Sequence, residues 1–213
     1  MLLNEIFYSI QGEGKNLGKP SIFVRLGGCN LACTWCDSKF TWHPKYQDNH
    51  LSDLGKIVDE VKKYPCKHLV ITGGEPLLQQ KQIAGLMNLL LGYTAEIETN
   101  GSVPCTINRY LTQINCSPKL SNSGNKSYNL KILPTNKKVF YKFVVCKKTD
   151  LQEIKVYIKK WKIPAERVYL MPEGITRKAI EEKSEWLIDI CKQEGYHFTT
   201  RLHVLTYGGE RKK

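Results

Sequence analysis

Six short apolar runs, each closed by glycine or a polar turn, recur along the chain: SIFVRLGG (21–28), KHLVITGG (67–74), AEIETNG (95–101), TQINCSPK (112–119), VFYKFVV (139–145) and RVYLMPEG (167–174). Runs of this length, bounded by turn formers, predict buried strands. Between them, apolar residues recur at helical spacing. The stretch 51–64 predicts a helix with Ser52 as its cap, 79–91 carries Ile83, Leu86, Met87 and Leu90, and 176–194 carries Ile180, Trp186, Leu187 and Ile190.

Strand and helix alternate, which implies a mostly parallel sheet with crossover helices and with chemistry-bearing loops at the C-terminal strand ends. Gly28, Gly73, Gly101, Ser117 and Gly174 fall at such ends. About six strands are fewer than the eight that close a barrel. The expected fold class is therefore α/β, a partial, open TIM-like barrel of about six parallel strands whose wide side something must cover. The polar segment 121–138, SNSGNKSYNLKILPTNKK, predicts an excursion or mobile loop. In 201–208, RLHVLTYG, His203 alternates with apolar neighbours and predicts a final strand with one polar side chain turned inward. A chain of 213 residues suits one domain over 1–213.

Charge changes this picture little. Lys and Arg number 32 against 20 Asp and Glu, a net charge of +12, which suits nucleic acid, a membrane surface or an acidic small molecule. The lysines are scattered instead of forming one arginine-rich stripe, so a solvated basic surface is expected, with no nucleic-acid partner. No apolar run approaches the ~20 residues of a membrane span, and the N-terminus lacks the pattern of a signal peptide. A cytoplasmic protein with no membrane partner is expected.

Eight cysteines are present, at 29, 33, 36, 66, 105, 116, 146 and 191. In a reducing compartment a clustered subset more often binds metal than forms disulfides. Only Cys29, Cys33 and Cys36 cluster, in CxxxCxxC spacing; the other five are expected as small buried apolar residues. Three thiolates on one short loop can wrap one face of a [4Fe-4S] cube and leave one iron without a protein ligand. A zinc site would need His43 or a remote cysteine to complete it.

This loop, placed after a strand and with Trp35 just before its last cysteine, resembles the signature of radical S-adenosylmethionine (SAM) enzymes. In those, the open iron takes the amino and carboxylate groups of SAM on a partial barrel, the radical SAM core. Gly73-Gly74-Glu75-Pro76 resembles the GGEP segment that holds the methionine amino group; glycines let backbone approach a ligand with no side chain between. The segments EIFYSIQGEG, FVRLGGCNLACTWCDSKFTW, TGGEPLLQ, ETNG, CSPK, KFVV, LMPEG and RLHVLTYG together resemble the 7-carboxy-7-deazaguanine synthases, over nearly the whole chain.

The resemblance implies an activity: a lyase that contracts the ring of 6-carboxy-5,6,7,8-tetrahydropterin to 7-carboxy-7-deazaguanine with loss of ammonia, on the route to queuosine. A 5′-deoxyadenosyl radical made from SAM would take hydrogen from C6. It nominates Ile10, Gln11, Gly12, Glu13, Arg25, Thr72 and His203 for the substrate. For SAM it nominates Trp35, Cys36, Asp37, Gly74, Ser117, Pro118, Lys119, Met171, Pro172, Glu173 and Gly174. Ser38 stands where the family carries a hydroxyl for Mg²⁺, a hard cation that accepts one protein oxygen and keeps waters. Flavodoxin or ferredoxin as electron donor, and a homodimer, are implied in the same way. The tail 208–213, GGERKK, extends beyond the shortest relatives, whose final carboxylate approaches substrate, so that contact is not carried over.

Two other readings fit part of the pattern. CxxxCxxC and GGEP alone would also suit an activase that installs a glycyl radical on a large protein. The basic charge with clustered thiols would suit a zinc or nucleic-acid binding module.

Overall fold

Successive strand residues point to opposite faces of a sheet, and in this protein the two faces have opposite chemistry. The computed structural model describes residues 1–208 and 210. Its strands are β1 (Leu2–Ile10), β2 (Pro20–Leu26), β3 (His50–Leu51), β4 (His68–Gly73), β5 (Thr94–Thr99), β6 (Gln113–Cys116), β7 (Val139–Val145), β8 (Val168–Pro172) and β9 (His197–Phe198). They form one sheet in the order β3-β1-β2-β4-β5-β6-β7-β8-β9. All six expected strands are present and run parallel, β2 to β4 through β7 to β8. The short β9 adds a parallel edge, while β1 pairs antiparallel with β2 and β3. The edges β3 and β9 do not meet, so the barrel is open.

Val24, Ile71, Ile97, Ile114 and Val139 lie in register across five adjacent strands and are fully buried. They share a core with Ile57, Ile83, Ile154 and Leu187 of the helices α1 (Leu54–Lys62), α2 (Gln80–Leu89), α3 (Asp150–Trp161) and α4 (Arg177–Glu194). Each such side chain contributes roughly 1.5–3 kcal/mol by leaving water. The opposite rows are polar: Arg25 beside Thr72, Glu96 beside Gln113 and Glu98 beside Asn115, with Lys142 on β7. A polar face inside a sheet this well buried marks where ligand, not core, belongs.

Three local expectations are corrected. The cap of α1 is Asp53, whose carboxylate accepts from the Lys56 backbone N–H at 2.9 Å; Ser52 is one residue too early, because its N–H pairs with Met1 O at 3.0 Å beside β3. Helix α2 starts at Gln80, after a 3-10 turn over Pro76–Gln79. Gln79 instead uses its amide to pair with both backbone groups of Leu2, at 2.7 and 3.0 Å. The segment 201–208 is not a strand but contains the helix α5 (Leu202–Tyr207). The edge of β8 is already taken by β9, and Leu202 N–H donates to Gly12 O at 2.9 Å, turning the chain across the open side. Of the two forms expected for 121–138 it takes the excursion: Leu130 and Ile132 are buried in the core, and Tyr141 Oη donates to Ile132 O at 2.9 Å. No helix among the described residues is long and apolar enough to cross a membrane.

On the helix side of β7, Phe143 is fully buried and meets the Tyr157 ring of α3 edge-on, 6.0 Å between centroids. Phe143→Ala should destabilise the fold by about 3–5 kcal/mol, read from urea unfolding. Leu91→Ala, at a residue 83% exposed, should stay within about 0.5 kcal/mol of the parent.

Candidate active site

The concave face of the sheet and the C-terminal strand ends enclose a cavity of about 820 Å³. Its upper wall is the cysteine loop that leaves β2. Gly28 has φ +86°, a left-handed conformation suited to glycine, and its N–H donates to Thr41 O at 2.7 Å, closing the loop. The GGEP turn at the end of β4 is stacked directly against this loop. Gly74 N–H donates to Leu26 O at 3.2 Å and Glu75 N–H to Gly28 O at 2.9 Å. A Cβ on Gly74 would collide with Gly28 O and with Cys29 Cβ. Glu75, fully buried, accepts from Leu77 N at 3.0 Å, Thr99 Oγ1 at 2.9 Å and Asn100 N at 2.7 Å. Its carboxylate therefore ties β4 to β5, and only the backbone of the turn faces the cavity region.

The excursion supports the other side of the loop. Ser123 O accepts from Thr34 N at 3.0 Å, Asn125 Oδ1 from Ala32 N at 3.0 Å, and Asn122 O from Trp35 Nε1 at 3.0 Å. Cys29, Cys33 and Cys36 are free thiols and all three line the cavity; no other cysteine among the described residues does. Among the described residues no three His, Cys, Asp or Glu side chains converge closely enough to hold a single ion. Burial pushes the Cys29 thiol up to about 11, and metal ligation is what makes such a sulfur a thiolate at neutral pH. The donor set, three soft sulfurs on one loop facing a roomy cavity, fits an iron–sulfur cluster with one iron left open.

The floor is a charged network. Lys142 Nζ lies 2.5 Å from Glu13 and 3.0 Å from Glu98. Arg201 Nε donates to Glu13 at 3.1 Å, its Nη1 to Gly174 O at 2.6 Å, and its Nη2 pairs with Asp37. Burial alone would raise Glu13, but Lys142 and Arg201 outweigh it and hold the carboxyl well below the usual carboxylate range. Burial raises Glu98. Lys142 is driven upward because its two carboxylate partners outweigh the burial that opposes its charge.

Ile10, Gln11, Gly12, Glu13, Arg25, Thr72 and His203 all line the cavity. Gln11 is tied to Glu96 and, at 3.3 Å, to Glu98. Arg25 pairs with Glu5 at 2.8 Å and sits between the rings of Phe7 and Phe40, 5.7 Å from each. His203, on α5 and not on a strand, packs on Gly12 where a Cβ would clash with its ring. Trp35, Cys36, Asp37, Gly74, Ser117, Lys119, Met171, Glu173 and Gly174 also line the cavity, whereas Pro118 and Pro172 do not; both are buried behind its wall. Lys119 Nζ donates to Ser117 O and Oγ at 2.9 and 2.8 Å and lies over the Trp35 ring at 5.6 Å. Ser38 Oγ donates to Asp37 Oδ1 at 2.8 Å. Of the tail 208–213, positions 209 and 211–213 lie outside the described residues.

A family model described as the Radical SAM superfamily matches residues 23–162. The chain is 36% identical, over 98% of its length and 96% of the relative's, to the 7-carboxy-7-deazaguanine synthase of Pyrobaculum aerophilum. It is 35% identical to the protein of the same name from Halobacterium salinarum, covering 95% of this chain and 88% of that one. The chain belongs to the 7-carboxy-7-deazaguanine synthase family. Its fold matches that of QueE from Escherichia coli with a TM-score of 0.76 and 25% identity, covering 95% and 94% of the two chains. Membership of this radical SAM family brings with it a [4Fe-4S] cluster and SAM.

Lys142, Glu98 and Arg201, which line the cavity, and Glu96, which accepts from Gln11, are residues that the motifs did not single out. Their signal was present: Glu96 and Glu98 alternate with buried Ile97, Gln113 and Asn115 with Ile114, and Lys142 stands between Tyr141 and Phe143. Charged residues at alternate positions of an otherwise apolar strand mark its ligand face. Arg201 stands in RLH, quoted for its histidine.

Lys142→Met would leave the buried Glu98 without its cation, while Glu13 keeps Arg201 at 3.1 Å, and should cost about 3–5 kcal/mol. Its pH dependence has a definite sign. In the parent, Glu13 with its depressed pKa stabilises above its ordinary 4.5, a contribution lost as acid protonates it. In the variant Glu98, already raised by burial, loses the cation that opposed that rise and takes up a proton on folding, so its deficit should shrink from about pH 7.5 to about pH 5.5. Urea midpoints of both proteins across that range provide the measurement.

Proposed function

We propose that this enzyme converts 6-carboxy-5,6,7,8-tetrahydropterin to 7-carboxy-7-deazaguanine with loss of ammonia, a step toward queuosine and related deazapurines. The observation that carries the reading is the juxtaposition, in one cavity, of three free thiols with a floor bearing both carboxylate and guanidinium groups. A pterin needs acceptors for its guanidine-like edge and a cation for its carboxylate, since buried polar groups without partners are costly. Gln11 and Glu13 supply acceptors, and Arg25, with Nε held by Glu5, keeps its terminal nitrogens for the substrate carboxylate. Thr72 and His203 border the ring site.

Cys29, Cys33 and Cys36 would hold the cluster, which when reduced supplies the electron that cleaves SAM and so initiates hydrogen abstraction at C6. The chain's own residues place the reactants. Trp35 and Asp37 on the loop, the Gly74 backbone, Ser117 and Lys119 after β6, and Met171, Glu173 and Gly174 after β8 surround the space beside the thiols and are assigned to SAM. Arg201 joins the two subsites, because it bonds Asp37 on the SAM side and Glu13 on the substrate side. Ser38 Oγ, with Asp37 behind it, would offer Mg²⁺ a hard oxygen next to the substrate carboxylate. We further assign a flavodoxin- or ferredoxin-type electron donor, a homodimer and a cytoplasmic setting, supported by the family resemblance alone.

Anaerobically reconstituted protein given SAM, a reductant and the carboxytetrahydropterin should release 7-carboxy-7-deazaguanine and ammonia in equal amounts, with many product molecules formed per SAM consumed, because loss of ammonia balances the pterin without net oxidation and the abstracted hydrogen is returned. Deoxyadenosine formed without any dependence on the pterin would favour a different radical SAM activity, and absence of the deazaguanine product would sink the specific reading. Ser38→Ala should raise the Mg²⁺ concentration for half-maximal turnover by at least about tenfold, with SAM binding unchanged by calorimetry.

A further inference from the structure

Each of the three cluster-binding sulfurs receives an N–H, and two of these donors are side chains outside the CxxxCxxC motif. Leu31 N approaches Cys29 Sγ at 3.5 Å. Asn125 Nδ2 donates to Cys33 Sγ at 3.1 Å, and Trp42 Nε1 donates to Cys36 Sγ at 3.3 Å. The donor sense of both is fixed by chemistry. An indole N–H can only donate. The Asn125 amide oxygen accepts from Ala32 backbone N–H at 3.0 Å, which turns its NH₂ toward the sulfur; Ser123 Oγ, at 3.1 Å, also lies on that side.

We infer that Asn125 and Trp42 set the reduction potential of the cluster by hydrogen-bonding the thiolates of Cys33 and Cys36. Reduction adds one negative charge to the cluster and its sulfurs, so an N–H aimed at a ligating sulfur stabilises the reduced form more than the oxidised one and raises the potential. The two donors come from different parts of the fold. Trp42 follows the turn Lys39–Thr41, and Asn125 belongs to the excursion, 92 positions from Cys33 along the chain. Both are positioning residues for the electron-transfer step, since neither needs to touch SAM or substrate to act. The inference rests on the cluster being bound there.

The test is an EPR-monitored redox titration of the reconstituted full-length protein, with iron and sulfide content measured alongside. Trp42→Phe keeps the ring and removes only the N–H. It should lower the reduction equilibrium constant roughly tenfold, about 59 mV for one electron, at unchanged cluster content. Asn125→Asp keeps the acceptor for Ala32 and replaces the donor by a carboxylate oxygen, so its potential should fall further. Full cluster content with parental potentials in both variants overturns the inference and leaves the cluster reading intact. Loss of cluster content in both would assign the residues to loop support and also overturns it. A parent protein that takes up no cluster overturns both.

Discussion

The contact on which the site depends is a backbone one: the Gly73-Gly74 turn at the end of β4 lies directly on the residues that lead β2 into the cysteine loop. Two N–H···O bonds, Gly74 to Leu26 and Glu75 to Gly28, span it, and no side chain intervenes because a Cβ at Gly74 would overlap Gly28 O. The clasp continues sideways. Glu75 accepts from Thr99 and Asn100 at the end of β5, and Asn100 Nδ2 donates to Asn30 Oδ1 of the cysteine loop at 3.0 Å. The ends of three adjacent parallel strands and the cysteine loop are thereby hydrogen-bonded to one another. The two sequence motifs that suggested the family, far apart along the chain, are one structural unit.

Below that unit the sheet spends stability on function. Burying Lys142, Glu13, Glu98 and Arg201 is expensive even when they are paired, and apolar residues of similar volume would pack at equal or lower free energy. The outer face of the same strands shows what the fold does without that demand: a continuous row of valine and isoleucine. Because strand side chains alternate, one set of strands carries both faces without compromise between them. The apolar face holds the helices; the polar face is left to bind.

This division explains which parts were legible in the sequence. The six parallel strands were readable because their apolar residues and terminal glycines are local signals, and CxxxCxxC with GGEP was readable because ligand spacing is local too. Helix α3 was hidden: Leu151, Ile154, Ile158 and Trp161 form a stripe, but the lysines between them read as a solvated run. The two-residue strands β3 and β9 carry no periodicity at all. For α5 the local alternation favoured a strand, and tertiary pairing overrode it, since β9 occupies the edge and Arg201, almost fully buried, draws the chain inward to Glu13 and Asp37. The ion network was written in the strands as alternating charge, yet which cation meets which carboxylate depends on the barrel's curvature, which no local pattern encodes.

The excursion presents the same difficulty in its strongest form, and its composition has a physical reason. A short loop bent around a cluster cannot satisfy its own backbone N–H groups through helix or sheet pairing, and buried donors must find acceptors. Ser123 O and Asn125 Oδ1 accept from Thr34 and Ala32, and Asn122 O accepts the indole N–H of Trp35. Asn122 is itself anchored, its Nδ2 donating to Val144 O at 3.2 Å and Asp150 Oδ2 at 2.8 Å, so the support traces back to β7 and α3. Asparagine suits the task because one amide accepts on one side and donates on the other. A polar, asparagine-rich stretch that reads locally as an excursion or mobile loop is therefore the composition required to line a loop whose own polar groups have nowhere else to go.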